Sequence, residues 1–310
     1  METRTATVNG VSMRWEEQAG EGLPLVLVHG IPTGPRLWRH VVPRIAAGAR
    51  CLAWEMVGYG ESIPEGRARD ISVARQADYL LAWLTTLGID RAVLAGHDLG
   101  GGVVQIAAVR QPAVCAGLFL TNAIGYDSWP IPSVKALRAT GALVERLPNA
   151  AVKPIFATLF RRGHDTRQRT AEALNMHWPP YARHGGGAAL VRQVRALNVQ
   201  DTLAVADRLP RLEVPARIVW GADDQFQKVR YGERFARDLQ APLRRIERGK
   251  HFTPEDHPEI LAEEINALLA EVGARPSAPP AADAAAAVPP PPSPPAGPKR
   301  RPRRRSARRT

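Results

Sequence analysis

The 310-residue sequence has two cysteines, Cys51 and Cys115, which make no metal-ligand spacing. Both stand in apolar surroundings that favour buried free thiols, so a reducing, cytoplasmic setting is expected. The sequence also lacks any run of roughly eighteen apolar residues, the length a membrane-spanning helix requires. Its opening stretch, METRTATVNGVSMRW, has no apolar core of the secretory kind. Acidic residues are outnumbered, and the formal charge is +12. Of that charge, +7 falls between Pro276 and Thr310 and +5 on everything before it, so the basicity is mostly a property of the tail.

What is present is an alternation of short apolar runs with amphipathic ones. TATV and VSMRWEE flank Asn9-Gly10, a hairpin signal that predicts an antiparallel pair at the start. The runs LPLVLVH, RCLAW, RAVLAG and AGLFLTN, each bounded by loop residues, predict buried strands. Between them, ARQADYLLAWLTTLG and LGGGVVQIAAVRQP repeat apolar residues at three and four spacing and close on Gly or Pro, as helices do. Strands alternating with helices predict an α/β fold with a mainly parallel sheet and helices on both faces.

After Asn122 the rhythm changes. Helix-like pieces broken by WPIP, RLPNA, HWPPYARHGGG and DRLP continue until strand patterns return at ARIVWG and LRRIE. A last helix pattern, HPEILAEEINALLAEVG, closes the folded part. The expected organisation is a core of residues 1–122 and 211–275, a helical cap over residues 123–210, and a disordered Pro/Ala-rich basic tail over residues 276–310.

One absence carries the chemistry. VLAGHDLGGG places Asp98 at a strand-to-helix turn in the spacing G-x-D-x-G, where a hydrolase usually has serine. Asp224 follows the strand ARIVWG, and His251 follows LRRIE. Singly, an Asp between glycines is more commonly a turn or cap residue, and a lone His before Phe a structural one. Their coincidence at three strand ends, in the order nucleophile, acid, histidine, is the signal. With LVHGIP, WGADD and GKHF as further anchors, the chain resembles the α/β-hydrolase superfamily over about residues 1–273, in its aspartate-nucleophile branch. The family pattern G-x-x-D selects Asp224 over its neighbour Asp223. Lys250 replaces a glycine often found before the histidine. The resemblance also implies that the backbone N–H groups of Ile31 and Leu99 form an oxyanion hole.

A carboxylate with a reference pKa of about 4 is already an anion at neutral pH and attacks without a general base. Displacement at a saturated carbon gives an alkyl ester, which water hydrolyses; a serine would give an inert ether. In this scheme His251 activates the water and Asp224 orients its imidazole. Within the superfamily the scheme belongs to haloalkane dehalogenases and epoxide hydrolases. HGIPTGPRLWRHVVPRIA is similar to the dehalogenase pattern, with Thr33, Trp38 and Arg39 matching, and YDSWP resembles the start of a dehalogenase cap. The usual halide-gripping Trp and Asn are replaced by Leu99 and Ile31, which leaves the task to cap residues such as Trp129 or Trp178. Trp38, Tyr126, Trp129, Trp178 and Tyr181 are therefore the candidate substrate contacts. Against an epoxide hydrolase, GGAALVRQVRAL lacks the tyrosine expected there; Tyr126 and Tyr181 lie elsewhere in the cap. A fluoroacetate-type enzyme fits poorly, because Leu99 to Val103 are uncharged.

The expected protein is a hydrolase of small apolar substrates, haloalkane dehalogenase-like, with epoxide hydrolysis as the alternative and a catalytically silent ligand-binding fold as a further one. Water is the co-substrate, no metal or organic cofactor is implied, and no membrane partner is expected. KRRPRRRSARR has no aromatic platform, so at most a weak contact with nucleic acid or anionic surfaces is expected of it.

Overall fold

The computed structural model describes residues 1–274; the tail expected over residues 276–310 lies outside them. The described residues form an eight-stranded sheet with β1 (Glu2–Val8), β2 (Val11–Gln18), β3 (Leu25–Val28), β4 (Cys51–Trp54), β5 (Ala92–His97), β6 (Cys115–Thr121), β7 (Ala216–Gly221) and β8 (Leu243–Ile246) in the order β1-β2-β4-β3-β5-β6-β7-β8. Asn9 and Gly10 turn the β1–β2 hairpin with φ of 50° and 74°, the positive values a two-residue turn of this hand needs. β1–β2 and β2–β4 pair antiparallel, and every other pair is parallel.

The central strands are buried on both faces, as their unbroken apolar runs require. On one face Val26, Leu52, Leu94, Leu118 and Ile218 pack under α1 (Val73–Thr86), α2 (Leu99–Arg110) and α9 (Val229–Asp238). On the other, Leu27, Ala53, Ala95, Phe119 and Val219 pack under α11 (Pro258–Ala274), which follows the short α10 (Thr253–Asp256) and buries Leu261, Ile265, Leu268 and Val272 at helical spacing. α2 is buried along almost its whole length. Gly100 makes that possible, because a Cβ there would collide with the Val28 carbonyl.

Between β6 and β7 the described residues hold helices and no strand: α3 (Pro132–Ala139), α4 (Gly141–Val144), α5 (Asn149–Gly163), α6 (Arg167–Arg183), α7 (Gly186–Ala196) and α8 (Gln200–Ala206). HWPPYARHGGG spans the join between α6 and α7, and the break falls after its prolines: α6 continues through Pro179 and Pro180 to Arg183, and the chain turns at Gly185, with φ 79°. Buried Trp178 and Tyr181, both edge-on to Phe156, hold the helix where local propensity would break it.

Strand order reverses at β3, which is flanked by β4 and β5, and ligand sites in such sheets form at the carboxyl ends beside that reversal. Register pairs Val28 with Gly96 and His97 with Thr121. The residues that follow β3, β5 and β6, namely Ile31, Asp98 and Asn122, are thereby brought into one row.

Candidate active site

Asp98 links β5 to α2 with φ 52° and ψ −120°, a conformation an L residue keeps only when its surroundings impose it. The turn lifts its carboxylate off the sheet and under the loop after β3. The Ile31 N–H donates to Asp98 Oδ2 at 2.9 Å, and the Leu99 N–H also favours the charged form. Gly30 permits this approach, because a Cβ on it would occupy the carboxylate's position. Burial pushes the Asp98 carboxyl above the ordinary carboxylate range, against the opposing pull of His251 and the two N–H groups.

His251 is buried, and its Nδ1 lies 2.8 Å from Asp224 Oδ2. Nδ1 is the donor, so in the neutral ring Nε2 carries the lone pair; it lies 4.0 Å from Asp98 Oδ1, outside hydrogen-bonding reach. Burial disfavours the imidazolium, but the charge and hydrogen bond of Asp224, helped by Asp98, hold His251 above its ordinary value. The main chain around it is fixed from two sides: its N–H and that of Phe252 donate to the Gly163 carbonyl at the end of α5, and His97 Nε2 donates to its carbonyl at 2.9 Å.

Asp224 is held by groups that no motif announces. Asn122 Nδ2 donates to Asp224 Oδ2 at 2.7 Å, while Asn122 Oδ1 accepts from the Gly221 N–H and from Thr253 Oγ1. The Phe226 N–H donates to Asp224 Oδ1 at 2.6 Å. Asn122 itself has φ 42° at the end of β6, so the strand end is bent to deliver the amide. Asp223, the sequence neighbour, is exposed.

Asp98 and His251 face a cavity of about 60 Å³ whose other walls include Ile31, Leu99, Ile124, Val134, Leu159, Leu197 and Phe226, with Gln227 among them. Of the five aromatic residues expected as substrate contacts, Trp129 alone lines it. Its indole N–H donates to Thr202 Oγ1 at 2.7 Å and is not free for a ligand. The other four do not line it. Trp38 is fully buried in the core on the α11 face of the sheet. Tyr126 packs at a tilt against Phe235 and donates its hydroxyl to Asp238 at 2.8 Å. Trp178 packs edge-on to Phe156, and Tyr181 donates to Gln193 at 2.8 Å. All four aromatic rings satisfy packing, and the two tyrosine hydroxyls also satisfy a polar neighbour, which spreads these residues over several faces of the fold.

A second buried network lies behind His251. His164 Nδ1 is 3.1 Å from Asp256 and its Nε2 3.2 Å from Glu255, which also meets His177 and Arg39. Burial opposes charge on His164, but Asp256 and Glu255 overcome it and raise its pKa to about 9. Among the described residues no group of three or more His, Cys, Asp or Glu is disposed to hold a metal ion, and no helix is long and apolar enough to cross a membrane.

Residues 24–258 match the family model described as alpha/beta hydrolase fold. A haloalkane dehalogenase of Bradyrhizobium diazoefficiens is 24% identical over 304 residues, covering 88% of this chain and 96% of that protein. A soluble epoxide hydrolase of Corynebacterium sp. is 26% identical over 278 residues, covering 83% of this chain and 93% of its own length. Among solved structures, an alpha/beta hydrolase fold protein from Burkholderia ambifaria superposes with a TM-score of 0.77 at 26% identity, covering 84% of this chain and 96% of its own.

Proposed function

The chain belongs to the α/β-hydrolase fold family, and from that premise we propose that it hydrolyses a small apolar substrate at a saturated carbon through an alkyl ester on Asp98, as a haloalkane dehalogenase does. One observation carries the reading. Asp98 offers Oδ1 toward Nε2 of His251 at 4.0 Å while its Oδ2 is held by the Ile31 N–H at 2.9 Å. A serine nucleophile would need the histidine within hydrogen-bonding reach to take its proton; an ionised carboxylate does not, and the wider gap leaves room for water to approach.

In the first step an Oδ1 lone pair of Asp98 forms the C–O bond, and the carbon–halogen bond breaks with its electron pair leaving on halide. In the second, water attacks the ester carbonyl carbon and passes a proton to His251 Nε2, while Asp224 stabilises the imidazolium. Charge then develops on Oδ2, which already faces the N–H groups of Ile31 and Leu99, so these serve as the oxyanion hole without rearrangement. The alkoxy C–O bond breaks, the alcohol leaves with the proton from His251, and the acid loses one proton to solvent. The balance is haloalkane and water to alcohol, halide and a proton.

The apolar walls support an uncharged substrate, and the small volume supports a short one. Relatives named haloalkane dehalogenase and epoxide hydrolase both stand near the chain. The halide reading is favoured because no tyrosine lines the cavity, and the hydroxyls of Tyr126 and Tyr181 are engaged by Asp238 and Gln193, which leaves no phenolic acid for an opening epoxide.

The test is a paired screen of short brominated alkanes and aryl epoxides, scoring bromide and diol release, with intact-mass measurement on His251→Gln. Bromide release and a trapped alkyl adduct are expected. Diol formation without halide release replaces this reading with epoxide hydrolysis; neither product and no adduct would leave a silent ligand-binding fold.

A further inference from the structure

Among the described residues, one buried polar side chain lines the reaction cavity without reacting and without a partner. Gln227 is 3% exposed and shares the cavity with Asp98 and His251. Its main chain is fixed, since its carbonyl accepts from Trp220 Nε1 at 2.8 Å. Its side-chain amide is not: Oε1 is enclosed with no hydrogen-bond partner, and no described residue pairs with Nε2. Burying an amide without partners is costly, and native interiors keep few of them. Apart from Asp98, His251 and Ser133 the cavity walls are mostly hydrocarbon, so a leucine or methionine would line this place at no such cost. An amide retained in this place is accounted for by a partner that arrives with the substrate.

Resting on the halide reading above, we propose that Gln227 is the leaving-group donor, its Nε2–H₂ binding the halide as Asp98 displaces it. Displacement moves negative charge from the carboxylate to the departing atom, and that charge needs N–H or O–H donors in place. The other buried donors near the cavity are committed. Ile31 and Leu99 direct their N–H groups at Asp98, and Trp129 gives its N–H to Thr202. Ser133 is exposed at the rim. Gln227 retains a free primary amide, and a half-turn about its last bond exchanges the oxygen and nitrogen positions. Because Gln227 follows Asp224 and Phe226 on one loop, the segment that orients His251 also carries the donor.

The experiment measures the rate of adduct formation on Asp98 by rapid quench and intact mass in the His251→Gln background, with matched 1-chloro-, 1-bromo- and 1-iodoalkanes, before and after adding Gln227→Leu or Gln227→Met. Chloride binds a donor more tightly than iodide does, so the amide's loss should slow the chloroalkane about tenfold more than the iodoalkane. Inhibition of turnover by added bromide should weaken in the single Gln227 variants. If either variant folds and leaves both the halide ranking and bromide inhibition unchanged while the adduct still forms, Gln227 is not the donor and the Asp98 reading stands. If no adduct forms from any haloalkane in the His251→Gln parent, the Asp98 reading fails and takes this proposal with it.

Discussion

The Ile31 N–H and Asp98 Oδ2 are joined by a 2.9 Å hydrogen bond that exists because residue 30 has no side chain. A methyl group on Gly30 would have to occupy the carboxylate's place. Gly30→Ala should therefore lower kcat by on the order of 10²-fold, comparable to removing one oxyanion donor, with a smaller change in KM. An unchanged kcat in a folded variant would contradict the role given to this contact.

The position of the acid is testable by neighbours. Asp224→Asn should reduce turnover by on the order of 10²- to 10⁴-fold, while exposed Asp223→Asn should be nearly silent. Asn122→Ala, which removes an amide holding Asp224, should fall between the two. The pH profile gives a second readout. His251 must be neutral to activate water and is held above its ordinary value, chiefly by Asp224 against the effect of burial. The acid limb of kcat should lie above the unperturbed histidine value of about 6.5 and move to lower pH in Asp224→Asn.

Trp129 should prove to be a packing residue. Its N–H goes to Thr202 Oγ1, which in turn donates to the Tyr126 carbonyl at 2.8 Å, so the indole closes a buried relay. Trp129→Phe should lower stability by about 1 kcal/mol for the lost hydrogen bond, visible as a reduced Tm, and leave bromide inhibition unaltered. Weakened bromide inhibition at unchanged Tm would instead make the indole a halide ligand.

Stability should fall on the alkaline side. His164 has its pKa raised to about 9 by Asp256 and Glu255, with His177 and His251 nearby and Lys250 Nζ on its carbonyl. A raised pKa means that the stabilisation is fully present below the unfolded value of about 6.5 and is lost as pH rises through about 9. Tm measured from pH 6 to 10 should decline across that window, and His164→Gln should flatten the decline. A Tm that rises over this range in the parent protein would contradict the charged network.

The strand ends were readable because central parallel strands are buried on both faces and leave unbroken apolar runs such as LVLV and AVLAG. Asp98 and Asp224 stand just after two such runs, whereas His251 follows β8, whose LRRI is half exposed. Asn122 and Gln227 carry no comparable signal. Asn122 reaches Asp224 across 102 positions of sequence, a contact that register between β6 and β7 creates and local pattern does not encode. Trp178 and Tyr181 lie outside the cavity lining for a related reason. Which side of a helix faces the cavity depends on packing between helices, and Phe156 captures both Trp178 and Tyr181. HWPPYARHGGG reads as a break without saying where it falls; that same packing carries α6 through Pro179 and Pro180, and the break comes at Gly185.

The central claim is that Asp98 forms a covalent ester that water opens at the carbonyl carbon. A single turnover in heavy-oxygen water, followed by mass analysis of the peptide containing Asp98, tests it most directly. Label is expected in the Asp98 carboxylate after the first turnover, with unlabelled oxygen in that first alcohol. Label in the first-turnover alcohol with none in the peptide would mean that water attacks the substrate carbon itself, and Asp98 would then not be the nucleophile.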